Sequence, residues 1–153
     1  MTDKGVVPLT HVVSDFQRSK AFYEMLGFQA YWPVPGTDTE EAANAVGMPK
    51  YEVDGALMAL QNAEQAMFIA LLEWKSPRDD SPLYPNLCRP GPARIALSSS
   101  NIDTDLDFLV ANSVEVATRP VDVHTSENTY ARFYCFKDPD GTFLELVQMI
   151  TTQ

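Results

Sequence analysis

Three side chains are placed for proton transfer or metal binding. His11 stands in PLTHVVSDFQRSKAFYEMLGF, residues 8–28, on a short apolar run directly before an amphipathic segment. Glu145 stands in TFLELVQMI, residues 142–150, where strand alternation puts it on one face with Phe143 and Val147. That face is apolar, and a buried carboxylate is costly unless a cation, hydrogen-bond donors or a metal compensate it. His124 stands in VDVHTSENTYARFY, residues 121–134, which also supplies Glu127, Tyr130 and Arg132. Such groups donate or relay protons, so His124 is a general acid or base candidate, set against a plainly solvated loop. His11 is either a metal ligand or a histidine hydrogen-bonded between a sheet and a helix.

Other chemistries find no support. The chain has no Gly-rich phosphate loop, and the SSS run at 98–100 lacks the glycine frame of a nucleophile elbow. Cys88 and Cys135 have no CxxC spacing and read as reduced thiols rather than a disulfide framework or a zinc site. With 21 acidic against 11 basic side chains the net charge is −10, which repels nucleic acid and anionic membrane and leaves small molecules or proteins as partners. The longest apolar stretches, such as AMFIALL at 66–72, fall far short of the roughly 20 residues of a membrane span. MTDKGVVPLT has no apolar secretory core, so a cytoplasmic location is expected.

The elements that must position these groups follow from periodicity. GVVPLTHVV (5–13) is a β-branched strand; Ser14 and Gln17 form an S-x-x-Q capping box for a helix over 15–26, closed by Gly27. Phe16, Phe22, Met25 and Leu26 form its apolar side. FQAYWPV (28–34) is a strand, 37–48 a short inserted helix, YEVDGALMAL (51–60) a strand, NAEQ a turn and MFIALLEW (67–74) a further strand. A proline-rich connector at 76–91 follows, and then the order repeats. PARIALS (92–98) is a strand and 102–114 a helix with Leu106, Leu109 and Val110 at helical spacing. VEVATRPVDV (114–123) contains a strand, ARFYCFKD (131–138) is another, DPDG turns the chain and TFLELVQMI closes it.

The halves align at both ends. Ser14-Asp15-Phe16 matches Ser100-Asn101-Ile102 at an offset of about 86, and FIALLE matches FLELVQ at about 75. The difference, about 11 residues, is the size of the inserted 37–48 segment. The expected fold is α+β, with two tandem βαβββ modules at about 5–75 and 92–150 in a single domain spanning 1–153.

Paired βαβββ modules carrying SDFQRSKAFYEMLGF and FYCFKDPDGTFLELV resemble the vicinal oxygen chelate superfamily, which includes glyoxalase I, methylmalonyl-CoA epimerase, extradiol dioxygenases and bleomycin-resistance-type binding proteins. The resemblance implies a curved mixed sheet with a concave small-molecule cavity, and a homodimer. Its metal-dependent members take one His or Glu ligand from each of four strands. Those positions fall here on Glu145, Ala70, Arg94 and Pro8. Alanine and proline supply no side-chain donor, and arginine is a permanent cation. His11 lies three residues past Pro8, on the opposite strand face, so only a slip or a bulge brings it in. If a metal bound at all, His11 and Glu145 would be its ligands; no cofactor is the expected state.

The resemblance also implies what fills such a cavity instead. Arg94 would pair with Glu145, and Phe68, Leu72, Trp74, Trp32 and Phe143, with Tyr130 and Arg132 at the mouth, would contact a hydrophobic or aromatic ligand. Three readings follow: a metal-independent binder of the resistance type, a metal-free isomerase, lyase or cyclase using Glu145 with His11 or His124, and a metal-dependent glyoxalase-like lyase or dioxygenase.

Overall fold

The structure, a computed structural model, describes residues 8–34, 39–61, 67–84, 87–88, 94–124 and 128–152. The NAEQ turn and Glu127 lie outside the described residues. The chain divides into two compact units, Met1–Ser81 and Pro82–Gln153.

The first unit runs β1 (Leu9–Val12), α1 (Phe16–Met25), β2 (Phe28–Pro33), α2 (Glu40–Val46), β3 (Glu52–Leu60) and β4 (Phe68–Ser76). The second runs β5 (Ile95–Ser98), α3 (Ile102–Ala111), β6 (Val121–His124), β7 (Thr129–Lys137) and β8 (Phe143–Thr151). Each builds a four-stranded mixed sheet, β1-β4-β3-β2 and β5-β8-β7-β6, in which the first strand runs parallel to the last. This is an α+β architecture of two tandem βαβββ modules, the first with α2 inserted.

The register carries the internal repeat. Thr10 faces Ala70 in the first sheet and Ala96 faces Glu145 in the second, reproducing the offsets of about 86 and 75 read from the sequence. The repeat extends to how each helix is tied to its sheet. The Phe16 N–H donates to Glu73 Oε2 at 2.9 Å, and the equivalent Ile102 N–H donates to Gln148 Oε1 at 3.1 Å. A helix N-terminus leaves its first N–H groups without intrahelical acceptors, so each sheet lends one from its last strand.

Capping differs from the expected box. Asp15, not Ser14, is the N-cap of α1: it has extended backbone angles and accepts from the Arg18 N–H at 2.9 Å, while its carbonyl takes the first intrahelical bond from Ser19. Asn101 caps α3 in the same way. Gly27 sits at φ 95, the left-handed turn that ends α1. The buried side of α1 is Phe16, Ser19 and Tyr23 rather than the Phe22, Met25 and Leu26 side, because Tyr23 sets its ring edge-on against Phe28 and against His11 of β1. On α3, Ile102 and Leu109 are buried while Val110 is exposed. Each such buried side chain contributes roughly 1.5–3 kcal/mol.

The inserted α2, shorter than the expected 37–48, is capped by Thr39 and ended by Gly47 at φ 66. It presses Ala43 onto Tyr51 and Val53, with Trp74 and Val34 alongside, and so covers one end of the sheet face that α1 leaves open. Among the described residues no helix is long and apolar enough to cross a membrane.

Candidate functional site

In the second unit the two sheet faces have different jobs. Along β8, Leu144 and Leu146 are buried and Gln148 reaches the α3 N-terminus, so this alternate set faces the helix. Phe143, Glu145 and Val147 therefore face the other way, together with Phe133 and Cys135 from β7. The parallel pairing of Ala96 with Glu145 places Arg94, two residues earlier and on the same face, within reach of the carboxylate. Arg94 Nη1 lies 2.9 Å from Glu145 Oε2. The Glu145 side chain is 10% exposed and that of Arg94 41%, so a buried acid is met by a cation that still faces solvent. Cys135, directly across the strand pair from Glu145, brings its Sγ to 3.9 Å from Arg94 Nη1 and 4.0 Å from Glu145 Oε2. Cys135 was not a predicted site residue. Its place opposite Glu145 follows from a hairpin closed by Asp138 and Thr142 around a three-residue loop; counted from DPDG as a four-residue turn, the partner would be Tyr134.

His124, Tyr130 and Arg132 lie on the helix side of the same sheet and do not share a face with Glu145. Arg132 clasps Asp122 through Nε and Nη2 at 2.6 and 2.9 Å and reaches Asp103 of α3 at 3.7 Å. That grip holds the Asp122 carboxyl below its ordinary value. The His124 ring lies 5.4 Å from Tyr130. Arg132 and Tyr130 thus fasten strand to strand and sheet to helix.

His11 in the first unit is likewise on the helix side. It pairs with Leu71 in register, and its ring meets Tyr23 edge-on at 5.9 Å. The open face carries Thr10, Val12, Ala70 and Leu72, with Phe68, Leu57 and Trp32. A bulge between Ala30 and Trp32 turns Tyr31 toward Phe68, with ring centroids 6.1 Å apart. Tyr31 and Trp32 are 69% and 59% exposed, a large aromatic area to leave in water. Trp74 stacks at 4.8 Å on Tyr51 beneath α2. One edge of Trp74 lines a hollow of about 290 Å³ with Val12, Val13, Met48, Pro77 and Arg78.

Arg78 at the rim of that hollow is fully engaged. It contacts Asp80 at 2.6 Å, the Ser14 carbonyl at 3.1 Å and Glu73 Oε1 at 3.3 Å. Lys75 also meets Glu73 Oε1, at 2.8 Å. Burial pushes the Glu73 carboxyl up, but the hydrogen bonds from Lys75 and the Phe16 N–H, with the Lys75 charge, outweigh it and hold the group below its ordinary value. Glu73 was not a predicted site residue; its match to Gln148 in the repeat marked the position without revealing its role.

Residues 5–146 match the sequence model of the Glyoxalase/Bleomycin resistance protein/Dioxygenase superfamily. The chain belongs to this superfamily. Solved structures with the same fold include a glyoxalase family protein from Bacillus cereus, 18% identical with a TM-score of 0.78, covering 98% of this chain and 99% of that one. An antibiotic binding protein, TnmS3, from Streptomyces sp. CB03234 is 24% identical with a TM-score of 0.60, covering 97% and 98%. A fosfomycin resistance protein, FosX, from Listeria monocytogenes is 15% identical with a TM-score of 0.58, covering 96% and 94%. Comparison with curated proteins finds no match.

Metal-dependent members of this glyoxalase-like superfamily imply a divalent ion, and the donor set tests whether one fits. Of the four ligand positions, Pro8 and Ala70 offer no side-chain donor, and Arg94, a permanent cation with no lone pair to give, sets Nη1 against the remaining carboxylate, Glu145. A tightly held catalytic zinc-type ion keeps three or more protein donors with lone pairs to give. His11, turned toward Tyr23, does not supply one. Among the described residues no group of three or more His, Cys, Asp or Glu side chains gathers. The residues present do not fit a chelated ion.

Proposed function

We propose that the protein binds a small hydrophobic or aromatic molecule without a metal. The observation that carries this reading is the Arg94–Glu145 ion pair, set on a sheet face that it shares with Phe133, Phe143, Val147 and Cys135. A permanent cation stands where the superfamily's metal-dependent members place a ligand, so the carboxylate is neutralised without an ion. The exposed Tyr31 and Trp32, with Phe68 and Leu57, give the first unit an aromatic face of matching character. Flat apolar ligands are held by such surfaces through area and ring stacking, with few polar contacts for orientation. The Streptomyces neighbour is named as an antibiotic binding protein, and this reading gives the present chain a comparable sequestering role.

A second reading, a metal-free isomerase, lyase or cyclase, is favoured by Glu145 being a buried carboxylate beside a cation that faces solvent. There Glu145 takes a proton next to a carbonyl whose developing oxyanion Arg94 stabilises. His11 and His124, on the helix sides of their sheets, take no part in it.

Metal analysis of purified protein with native mass spectrometry tests both. Copurified organic ligand at sub-stoichiometric metal is the expected result. Stoichiometric nickel, zinc, manganese or iron overturns the metal-free account. Turnover of the captured compound, lost in Glu145→Gln, replaces binding by catalysis.

A further inference from the structure

We infer that Arg94 and Glu145 together read a neutral donor–acceptor edge on the ligand, such as a carboxamide, and reject a free carboxylate. This rests on the proposed binding of an aromatic molecule and adds what polar group that molecule carries.

The argument starts from the hydrogen-bonding capacity left over in the pair. A guanidinium has five N–H donors and a carboxylate about four acceptor sites. Arg94 uses Nη1 toward Glu145 Oε2 and, at 3.9 Å, toward Cys135 Sγ; Nη2 and Nε meet no other described residue. Glu145 Oε2 is met by Arg94 and Cys135, while Oε1 meets no described residue. The pair therefore offers unspent donors and an unspent acceptor on one sheet face, flanked by Phe143, Val147 and Phe133.

Charge decides between the ligands that could use them. An isolated arginine would favour an anion. Here Glu145 already neutralises Arg94, and a second carboxylate would be brought against the first with no further cation from the described residues on that face except Lys137. Lys137 is itself occupied by Glu115 at 2.6 Å and lies over the Phe143 ring. The chain's net charge of −10 adds to the repulsion of any anion. A primary carboxamide satisfies both halves: its oxygen accepts from the guanidinium and its N–H donates to Oε1. An isosteric ketone fills only the first.

Three probes of equal shape separate these terms: 2-naphthamide, 2-acetylnaphthalene and 2-naphthoate, titrated into the full chain by calorimetry at pH 7. The expected order is amide tightest, with the ketone and the carboxylate each roughly tenfold weaker, the scale of one charge-assisted hydrogen bond. In Glu145→Gln, which frees Arg94, the naphthoate should rise to become the tightest of the three. Wild-type affinities within twofold of one another, or naphthoate tightest in the wild type, overturn the inference while leaving aromatic binding standing. Failure of the wild type to bind any probe overturns the binding reading itself. Should Glu145→Gln not fold, the wild-type ranking still decides, supplemented by the NMR shift of the Arg94 Nε–H, which must move with the amide and stay in place if the amide does not engage the pair.

Discussion

Replacing Arg94 by methionine isolates the energetics of the ion pair. At 2.9 Å two unit charges attract by about 6 kcal/mol at an effective dielectric of about 20 and about 1.5 kcal/mol at about 80. The Arg94 side chain is 41% exposed, which draws the value toward the lower limit, and Glu145, at 10%, cannot turn to water once its partner is gone. A loss of about 2 kcal/mol follows for Arg94→Met. Glu145→Leu should cost less, below about 1 kcal/mol, since the freed guanidinium is already at the surface and leucine suits a face shared with Phe143 and Val147. The double variant should fall near Glu145→Leu alone, giving a coupling of about 2 kcal/mol, the whole cost of Arg94→Met. Urea unfolding followed by circular dichroism measures all four proteins, with an unchanged m-value showing that stability rather than compactness has changed. Equal costs for the two single variants, or a coupling under about 0.3 kcal/mol, would refute the claim that a buried acid depends on this cation.

Three further perturbations test other parts of the fold. Glu73→Gln copies the Gln148 arrangement and should cost about 1 kcal/mol at pH 7, the difference between charged and neutral hydrogen bonding. Because the folded Glu73 carboxyl titrates below its ordinary value of 4.5, its contribution is complete above that value and is lost as pH falls through the folded value. The gap between wild type and variant should then close in acid, and a pH-independent gap counts against the assignment. Tyr134 has a fully buried hydroxyl without a hydrogen-bond partner among the described residues, and burial and the nearby Asp105 charge push its titration up. Tyr134→Phe should accordingly leave thermal stability unchanged or raise it by up to about 1 kcal/mol, and a loss beyond that would reveal a hidden partner. Gly55 faces Leu72 where β3 and β4 approach closely, and a Cβ there would run into the Leu71 carbonyl oxygen. Gly55→Ala should therefore cost at least about 2 kcal/mol in denaturant titration, and a neutral effect would show that the strands can separate.

Much of the fold was legible because it rests on period and repetition. The strands follow two-residue alternation, and the offsets between Ser14 and Ser100 and between FIALLE and FLELVQ reappear as register pairs in the two sheets. What resisted reading was rotation and neighbourhood. Phe22 and Tyr23 are adjacent and both apolar, so helical spacing alone does not say which turns inward; the rings of Phe28 and His11 decide for Tyr23. Ser14 and Asp15 are both good caps, and only backbone angles choose Asp15. The separation of Glu145 from Tyr130 and Arg132 hung on hairpin register: a four-residue turn at 138–141 would pair Glu145 with Tyr134, but Asp138 and Thr142 close a three-residue loop and Cys135 takes that place. Treating 121–134 as one loop hid this, for β6 and β7 take most of it.

An arginine at a ligand position alters what the site can do more than how stable it is. A metal and a guanidinium can each neutralise a buried carboxylate. They differ in what they offer an incoming oxygen. A metal presents an empty orbital, displaces water, lowers the pKa of what it binds and so drives chemistry. Arg94 presents N–H donors fixed in a plane, which orient an oxygen and stabilise charge without activating water. Glu145 Oε2, 2.9 Å from Arg94 Nη1, is kept occupied by that guanidinium. Such a pair suits recognition of a polar edge on an apolar body, and catalysis there would have Glu145 accept a proton on Oε1 while Arg94 stays on Oε2.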